Sequence, residues 1–222
     1  VVLKPAEQTP TSILVLMEKI GDLLPAGVVN VVNGFGSEAG QALATSNRIA
    51  KLAFTGSTEV GNHILKCAAE SLIPSTVELG GKSPVIVADD ANLSKAVDAI
   101  LFGKCINAGQ ICVAPDYAFV PEGRINEFVA LFLQRFEALY LKGQNDQGFT
   151  HIINQRQYDR LKAVLEDAKD KGAEIHTVPE ASAKGRLLYP HLVTNVSEEM
   201  VIMQEEIFGP LMPIKPYRDI QE

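Results

Sequence analysis

Short apolar runs alternate along the chain with segments in which apolar residues recur at helical spacing. The runs at 1–3, 28–32, 49–56, 75–81, 84–88, 113–120, 173–178 and 187–194 read as strands, and a further strand-like run opens the stretch PLMPIKPYRDIQE at the end. Between the first two, Ile13, Leu16, Met17, Ile20 and Leu24 follow the period of about 3.6 residues expected of one buried helix face. Thr9 is placed to cap that helix, Pro10 suits its first turn, and PAG (25–27) stops it. A short helical stretch is expected to reach about Thr45. Ser57 or Thr58 opens a helix over 57–72 whose buried stripe is Val60, Ile64, Cys67 and Ala68. LSKAVDAILFGKCINAG is a helix ending in glycine that delivers the chain to Cys112, and helices are expected over 123–142 and 155–171. Strands alternating with helices predict parallel strands joined by crossover helices, an α/β fold.

Composition narrows the function classes. The chain has 222 residues, 46% hydrophobic and 21% charged, enough for one large or two small cores. A formal net charge of −7 argues against a nucleic-acid partner, which needs a basic patch. The apolar runs are too short to span a bilayer. Three cysteines without C-x-x-C spacing argue against a disulfide framework and for a reducing compartment, so a soluble, cytoplasmic protein is expected. His63, His151, His176 and His191 are scattered without ligand spacing, so no metal site is expected. The start in VVLKPAE without a methionine, and the stop after a strand-like run, suggest an internal piece of a longer protein.

Three segments carry candidate cofactor chemistry. NGFGSEAG (33–40) spaces Gly34, Gly36 and Gly40 one residue wider than the usual dinucleotide fingerprint, and a turn with a tight helix–strand contact explains it equally well. FTGSTEVG (54–61) follows a strand and opens a helix, offering Ser57, Thr58 and amide N–H groups where a phosphate is stabilised. KPAE (4–7) ends a strand with Lys4 and Glu7, which either hydrogen-bond two ribose hydroxyls or form a solvated pair of little worth. Together they are consistent with a nucleotide crevice at strand carboxyl ends.

Two residues carry candidate catalytic chemistry. Glu78 sits in an otherwise apolar strand before a glycine pair; burial without a partner would raise its pKa as a general base requires, and capping of backbone amides is the alternative. Cys112, in NAGQICVAPDY, is either an inert packed thiol or a nucleophile. Cys67 and Cys105 lie on apolar helical stripes and read as core, and EDAKDKGAE (166–174) reads as a solvated helix end.

KPAEQTP, FTGSTEVG, VELGGKSP, NAGQICVAP and EEIFGP occur in this order, and together they closely resemble the aldehyde dehydrogenase superfamily along all 222 residues. GQICVAPDY is similar to the branch of coniferyl, fatty and aromatic aldehyde dehydrogenases, in which Asp-Tyr follows Ala-Pro. The resemblance implies that Cys112 is the nucleophile and that Glu78 activates the deacylating water. It places Gly56, Ser57 and Gly61 near the pyrophosphate of NAD or NADP, Lys4 and Glu7 at the adenosine ribose, and Gly36 and Gly40 on the adenine side. Glu206 and Phe208 would position the nicotinamide ribose and ring. The thiol's pKa would be lowered by a helix N-terminus or by the cofactor's positive ring. The fold implied is a Rossmann-like nucleotide-binding part over 1–77 and a parallel α/β catalytic part over 78–222, both incomplete, with the active site in a crevice between them. The family's second oxyanion donor, an asparagine upstream of KPAE, lies outside this chain. The family also implies a small-molecule aldehyde substrate and a homodimer or homotetramer. A thiol esterase or acyltransferase using Cys112 and Glu78, and an inactive scaffold fragment, are the alternatives.

Overall fold

The structure is a computed structural model that describes residues 1–141, 148–179 and 185–221; the last residue of the helix expected over 123–142 lies outside them. The chain divides into two compact units, Val1–Gly80 and Gly81–Glu222.

In the first unit, β1 (Val2–Leu3) leads through α1 (Thr11–Ile20) to β2 (Asn30–Val31), which pairs parallel with β1. After α2 (Gln41–Ala44), β3 (Leu52–Thr55) leads through α3 (Thr58–Glu70) to β4 (Ser75–Glu78), again a parallel pair, in register Leu52↔Ser75 to Thr55↔Glu78. Both are the strand–helix–strand crossovers the pattern predicts, built as two separate two-stranded pairs. Ile13, Met17, Ile20 and Leu24 are half-buried where their spacing predicts a buried face, and Leu16 is exposed. Thr9 does not cap α1: Pro10 holds the cap position without a side-chain bond, and the Thr9 amide instead closes a turn onto Ala6 O at 3.1 Å. Ser57 does cap α3, its Oγ accepting from Val60 N at 3.3 Å, and Cys67 and Ala68 are buried while Val60 is exposed.

The second unit is built on one five-stranded sheet, and its strands and helices follow in chain order. β5 (Pro84–Ile86), α4 (Leu93–Cys105), β6 (Tyr117–Pro121) and α5 (Ile125–Phe136) come first. Next are α6 (Gln155–Asp170), β7 (Glu174–Thr177), β8 (His191–Thr194), α7 (Val201–Gln204) and β9 (Leu211–Tyr217). The sheet order is β5-β6-β9-β8-β7, parallel throughout except that β7 runs antiparallel to β8 at one edge. A central strand with two prolines loses ladder bonds. β9 accommodates Pro213 and Pro216 by splitting its pairing: residues 211–213 pair with β8, ending at Pro213, and 214–217 pair with β6. The strand expected over 113–120 starts only at Tyr117, because residues 111–114 form a turn closed by Ala114 N to Ile111 O at 3.0 Å. The helix expected from 123 is a tight turn followed by α5, which ends at Phe136 in one wide turn. Asn92 and Asn154 cap α4 and α6, accepting from Lys95 N at 3.1 Å and Gln157 N at 2.9 Å.

The large apolar core lies wholly in this unit, running from Val87 to Ile214. Phe136 anchors one end, its ring centre 5.0 Å from Tyr140, 5.2 Å from Phe149 and 5.6 Å from Tyr189. The buried stripe of α4 is Leu93, Val97, Ile100, Leu101, Lys104 and Cys105. Lys104 is 1% exposed, and its ammonium donates to Pro115 O at 2.7 Å. Burial holds the Lys104 amine down to about 8 and the Cys105 thiol up to about 12.

After α4 the backbone turns sharply through three successive left-handed residues, Asn107 (φ 50°), Ala108 (φ 54°) and Gly109 (φ 72°). A Cβ on Gly109 would stand 2.4 Å from the carbonyl oxygen of Gly209. Gly109→Ala is therefore expected to destabilise the protein by about 2 kcal/mol or more in urea unfolding, and an unchanged midpoint would refute the close approach. Lys104 gives a pH test. Its folded-state pKa of about 8 lies below the ordinary 10.5, so above pH 8 the unfolded chain binds more protons and stability rises with pH. The Cys105 thiol, held above its ordinary 9.0, has the opposite sign, which takes effect from there upward. Between pH 8 and 9 wild type should gain stability relative to Lys104→Met, by up to about 1.4 kcal/mol per pH unit. Parallel pH profiles of the two proteins would show that the amine is not desolvated.

Candidate active site

In the first unit, a groove of about 1260 Å³ is lined by Lys4, Gly36, Gly40, Gln41, Val60 and His63 among others. Lys4, on the segment after β1, donates to Pro5 O at 2.9 Å and Gly34 O at 3.0 Å, while Glu7 stands 3.8 Å away. The Lys4 stem packs on Gly40, where a Cβ would lie 3.6 Å from Cε. The first turn of α3 contributes Glu59 and Val60 to the same groove. An ammonium beside two glycines without side chains leaves room in this groove for a ligand as large as a nucleoside, with the Glu59 carboxylate on the wall formed by α3. Gly56, Ser57 and Gly61 do not line the groove. Packing inside the unit demands the two glycines: a Cβ on Gly56 would lie 2.6 Å from the Phe54 ring, and one on Gly61 2.4 Å from Leu79 Cδ2. Glu78 ends β4 with its side chain on the exposed face, and its carbonyl accepts the Gly56 amide at 3.0 Å. The burial considered for this carboxylate is not found.

In the second unit, Cys112 is exposed on the turn that precedes β6, whereas Cys67 and Cys105 are buried. Gln110 braces that turn from both directions. Its Nε2 donates to Asn107 O at 3.0 Å and His151 O at 3.2 Å, and its Oε1 accepts from Ile153 N at 2.9 Å. Asn107 Nδ2 returns a bond to Gln110 O at 3.1 Å. A nearly buried amide thus holds an exposed thiol on a tight loop. Cys112 lies beyond the C-terminal end of α4, not at a helix N-terminus, so that proposed source of thiol activation is not the one built here.

The segment with Glu206 and Phe208, which precedes β9, is held at several points. Asp116, 4% exposed, takes Lys82 Nζ at 2.5 Å on one oxygen and the Ile207 amide at 2.9 Å on the other. Lys82 Nζ also donates to Ile202 O at 2.9 Å and Glu205 O at 2.8 Å. Arg160 donates to Glu206 O at 3.3 Å and Ile207 O at 2.5 Å, and its pKa is lowered by burial against the raising fields of Glu205, Glu206 and Asp116. Glu206 Oε1 accepts from Gly81 N at 3.3 Å, and Phe208 is exposed at φ 45°. Lys82, Cys112 and the Glu206–Phe208 segment precede β5, β6 and β9, three adjacent parallel strands, so they share the amino edge of one sheet.

Sequence reasoning missed Gln110, Lys104, Lys82, Asp116 and Arg160. The available signals were a lysine in VELGGKSP and an aspartate in VAPDY, both in segments already singled out. Among the described residues, no group of three His, Cys, Asp or Glu could hold a metal ion. No described helix is long and apolar enough to cross a membrane.

Residues 1–222 match the model of the aldehyde dehydrogenase family. An aldehyde dehydrogenase of Vibrio cholerae serotype O1 is 48% identical over 234 residues, covering 99% of this chain and 46% of the relative. A coniferyl aldehyde dehydrogenase of Pseudomonas sp. strain HR199 is 43% identical over 222 residues, with 98% and 46% covered. Among solved structures, the betaine aldehyde dehydrogenase of Staphylococcus aureus in complex with NAD+ superposes with a TM-score of 0.88 at 32% identity, covering 100% of this chain and 46% of that one. An aldehyde dehydrogenase of Bacillus cereus, in a mutant form, gives a TM-score of 0.91 at 35% identity, with 99% and 46% covered. The chain therefore spans about half the length of the relatives it matches. On the family match and these identities over its whole length, the chain belongs to the aldehyde dehydrogenase family.

Proposed function

We propose that the protein containing this chain oxidises an aldehyde to the carboxylic acid, with NAD or NADP as oxidant and Cys112 as nucleophile. The observation that carries this reading is the exposed Cys112 thiol on a loop braced by Gln110. The Cys112 thiolate attacks the aldehyde carbon, and the carbonyl π electrons move to oxygen, leaving a tetrahedral oxyanion near the Cys112 amide. The nicotinamide, when bound, accepts the hydride that this adduct releases. Cys112 then holds the acyl group as a thioester. Glu78 takes a proton from water as that water attacks the acyl carbon; the C–S bond breaks, and the acid leaves with Cys112 restored. Exposure of Glu78 leaves its carboxylate open to water within its own unit.

Lys4, Gly36 and Gly40 are assigned to the adenosine half, with Gly56, Ser57, Gly61 and Glu7 around the phosphates and ribose. Glu206 and Phe208 are assigned to the nicotinamide half. Glu7 would repel a 2′-phosphate, and a solved relative is described in complex with NAD+, so NAD is the favoured oxidant. An aromatic or long-chain aldehyde, of the coniferyl type, is the favoured substrate, since relatives at 42% and 43% identity bear the coniferyl name. The same reading takes residues 1–77 as the nucleotide-binding part and 78–222 as the catalytic part of a cytoplasmic homodimer or homotetramer.

Alkylation by iodoacetamide near neutral pH, read by mass spectrometry with and without NAD, should modify Cys112 ahead of Cys67 and Cys105 at a rate that NAD changes. Equal labelling of the three thiols, indifferent to NAD, would sink the reading. In the full-length enzyme, Glu78→Gln should keep a rapid first burst of NADH while steady turnover falls at least about tenfold, and Cys112→Ser should lose the burst. A thiol esterase without redox chemistry would show neither the burst nor NAD-dependent labelling.

A further inference from the structure

We infer that Asp116 and Lys82 are positioning residues that set the Glu206–Phe208 segment in register with the Cys112 loop, and so hold the nicotinamide half of the cofactor for hydride transfer. This rests on the proposed assignment of Glu206 and Phe208 to that half. Asp116 lies four positions after Cys112 and is nearly buried. Its two carboxylate oxygens face different segments: Oδ2 accepts the amide of Ile207, between Glu206 and Phe208, and Oδ1 takes Lys82 at 2.5 Å. Lys82 spreads its remaining donors over the carbonyls of Ile202 and Glu205. The Lys82 ammonium also stands 5.6 Å from the ring centre of Tyr117, so both members of the Asp-Tyr pair engage one lysine. On the Cys112 side, the amide of Asp116 donates to Ser83 O at 2.8 Å, and Lys104 donates to the preceding carbonyl, that of Pro115.

Neither residue faces solvent freely, and a buried pair of this kind adds little net stability compared with an apolar pair of the same volume. It does impose a geometry. An ion pair whose remaining oxygen and remaining N–H groups are each directed at a different backbone group allows few alternative arrangements of the segments it joins. Glu206 gains a defined carboxylate position from this, reinforced by Gly81 N at 3.3 Å on its Oε1. Arg160 fixes the two carbonyls of Glu206 and Ile207 from the other side, so the side chain of Phe208 leaves a backbone pinned on both flanks.

The test uses Asp116→Asn and Lys82→Met in the full-length enzyme, with two ligands. NADH reports the whole cofactor through its nicotinamide fluorescence, and ADP reports the adenosine half alone. Asp116→Asn keeps the shape and an acceptor for Ile207 N but removes the charge. We expect the dissociation constant of NADH to rise about tenfold while that of ADP changes less than about twofold. The rate constant for the NADH burst should fall with it, and the KM for aldehyde should stay within about threefold. Lys82→Met should give the same split, and the double variant should be no worse than the more affected single variant, because the two act as one unit. Equal weakening of NADH and ADP would mean general loss of structure and would overturn the inference, as would unchanged binding of both. Wild-type protein that binds neither ligand would instead bring down the proposed function, and the inference with it.

Discussion

The arrangement of the second unit turns on one buried carboxylate. Asp116 is 4% exposed, and ionised burial is tolerable only because a lysine ammonium and a backbone amide meet its two oxygens. Those partners lie 34 and 91 positions away in the chain, so the carboxylate joins the start of the unit, the cysteine loop and the segment before β9. Loss of any one partner would strand a charge. The three segments are therefore fixed as a set, and the exposed groups they carry, Cys112 and Phe208, are held on braced backbone instead of mobile loop.

The two units achieve order by different means. The second buries a continuous apolar cluster of aromatic and branched side chains, which supports its sheet and helices. In the first, the buried apolar residues among those described are the small Pro5, Ala44, Cys67 and Ala68, and its strands form two short parallel pairs. Close backbone packing takes the place of bulk: Gly56 lies under the Phe54 ring and Gly61 against Leu79, where a single Cβ would collide. A unit of that kind presents an open groove, and the Lys4 stem on Gly40 forms part of its wall.

Elements governed by neighbours in sequence were legible. The stripe of α3 gave Cys67 and Ala68 correctly, and the alternation of strands and helices implied parallel pairing, whereas the helix expected to run to Gly109 ends at Cys105, ahead of the left-handed Asn107 and Ala108. Local reading failed where tertiary bonds compete. Thr9 had the chemistry of a cap, yet its amide is used in a turn ahead of the helix. The apolar run from Val113 does not extend β6 because the Cys112 turn claims it as far as Ala114. Cys112, Glu78, Glu206 and Phe208 were visible through ordered motifs, but Asp116 showed only as half of an Asp-Tyr pair. Nothing local says which of the chain's lysines a buried aspartate will meet. The choice of Lys82 is made by strand order, which brings the entries to β5 and β6 side by side.

Strand order also fixes where the exposed thiol stands. Ligands of open α/β sheets gather outside the carboxyl ends of the strands, and Lys4, after β1, stands at such an end. Cys112 and the Glu206–Phe208 segment do not: they precede β6 and β9, at the amino edge of the sheet. A crossover helix returns antiparallel to its strands, so at this edge α4 presents its C-terminal end, the negative pole of its dipole. The cationic side chains at this edge, Lys82, Lys104 and Arg160, are already committed to carbonyls and to Asp116. The cations at this edge therefore serve to fix the backbone that carries Cys112 and Phe208.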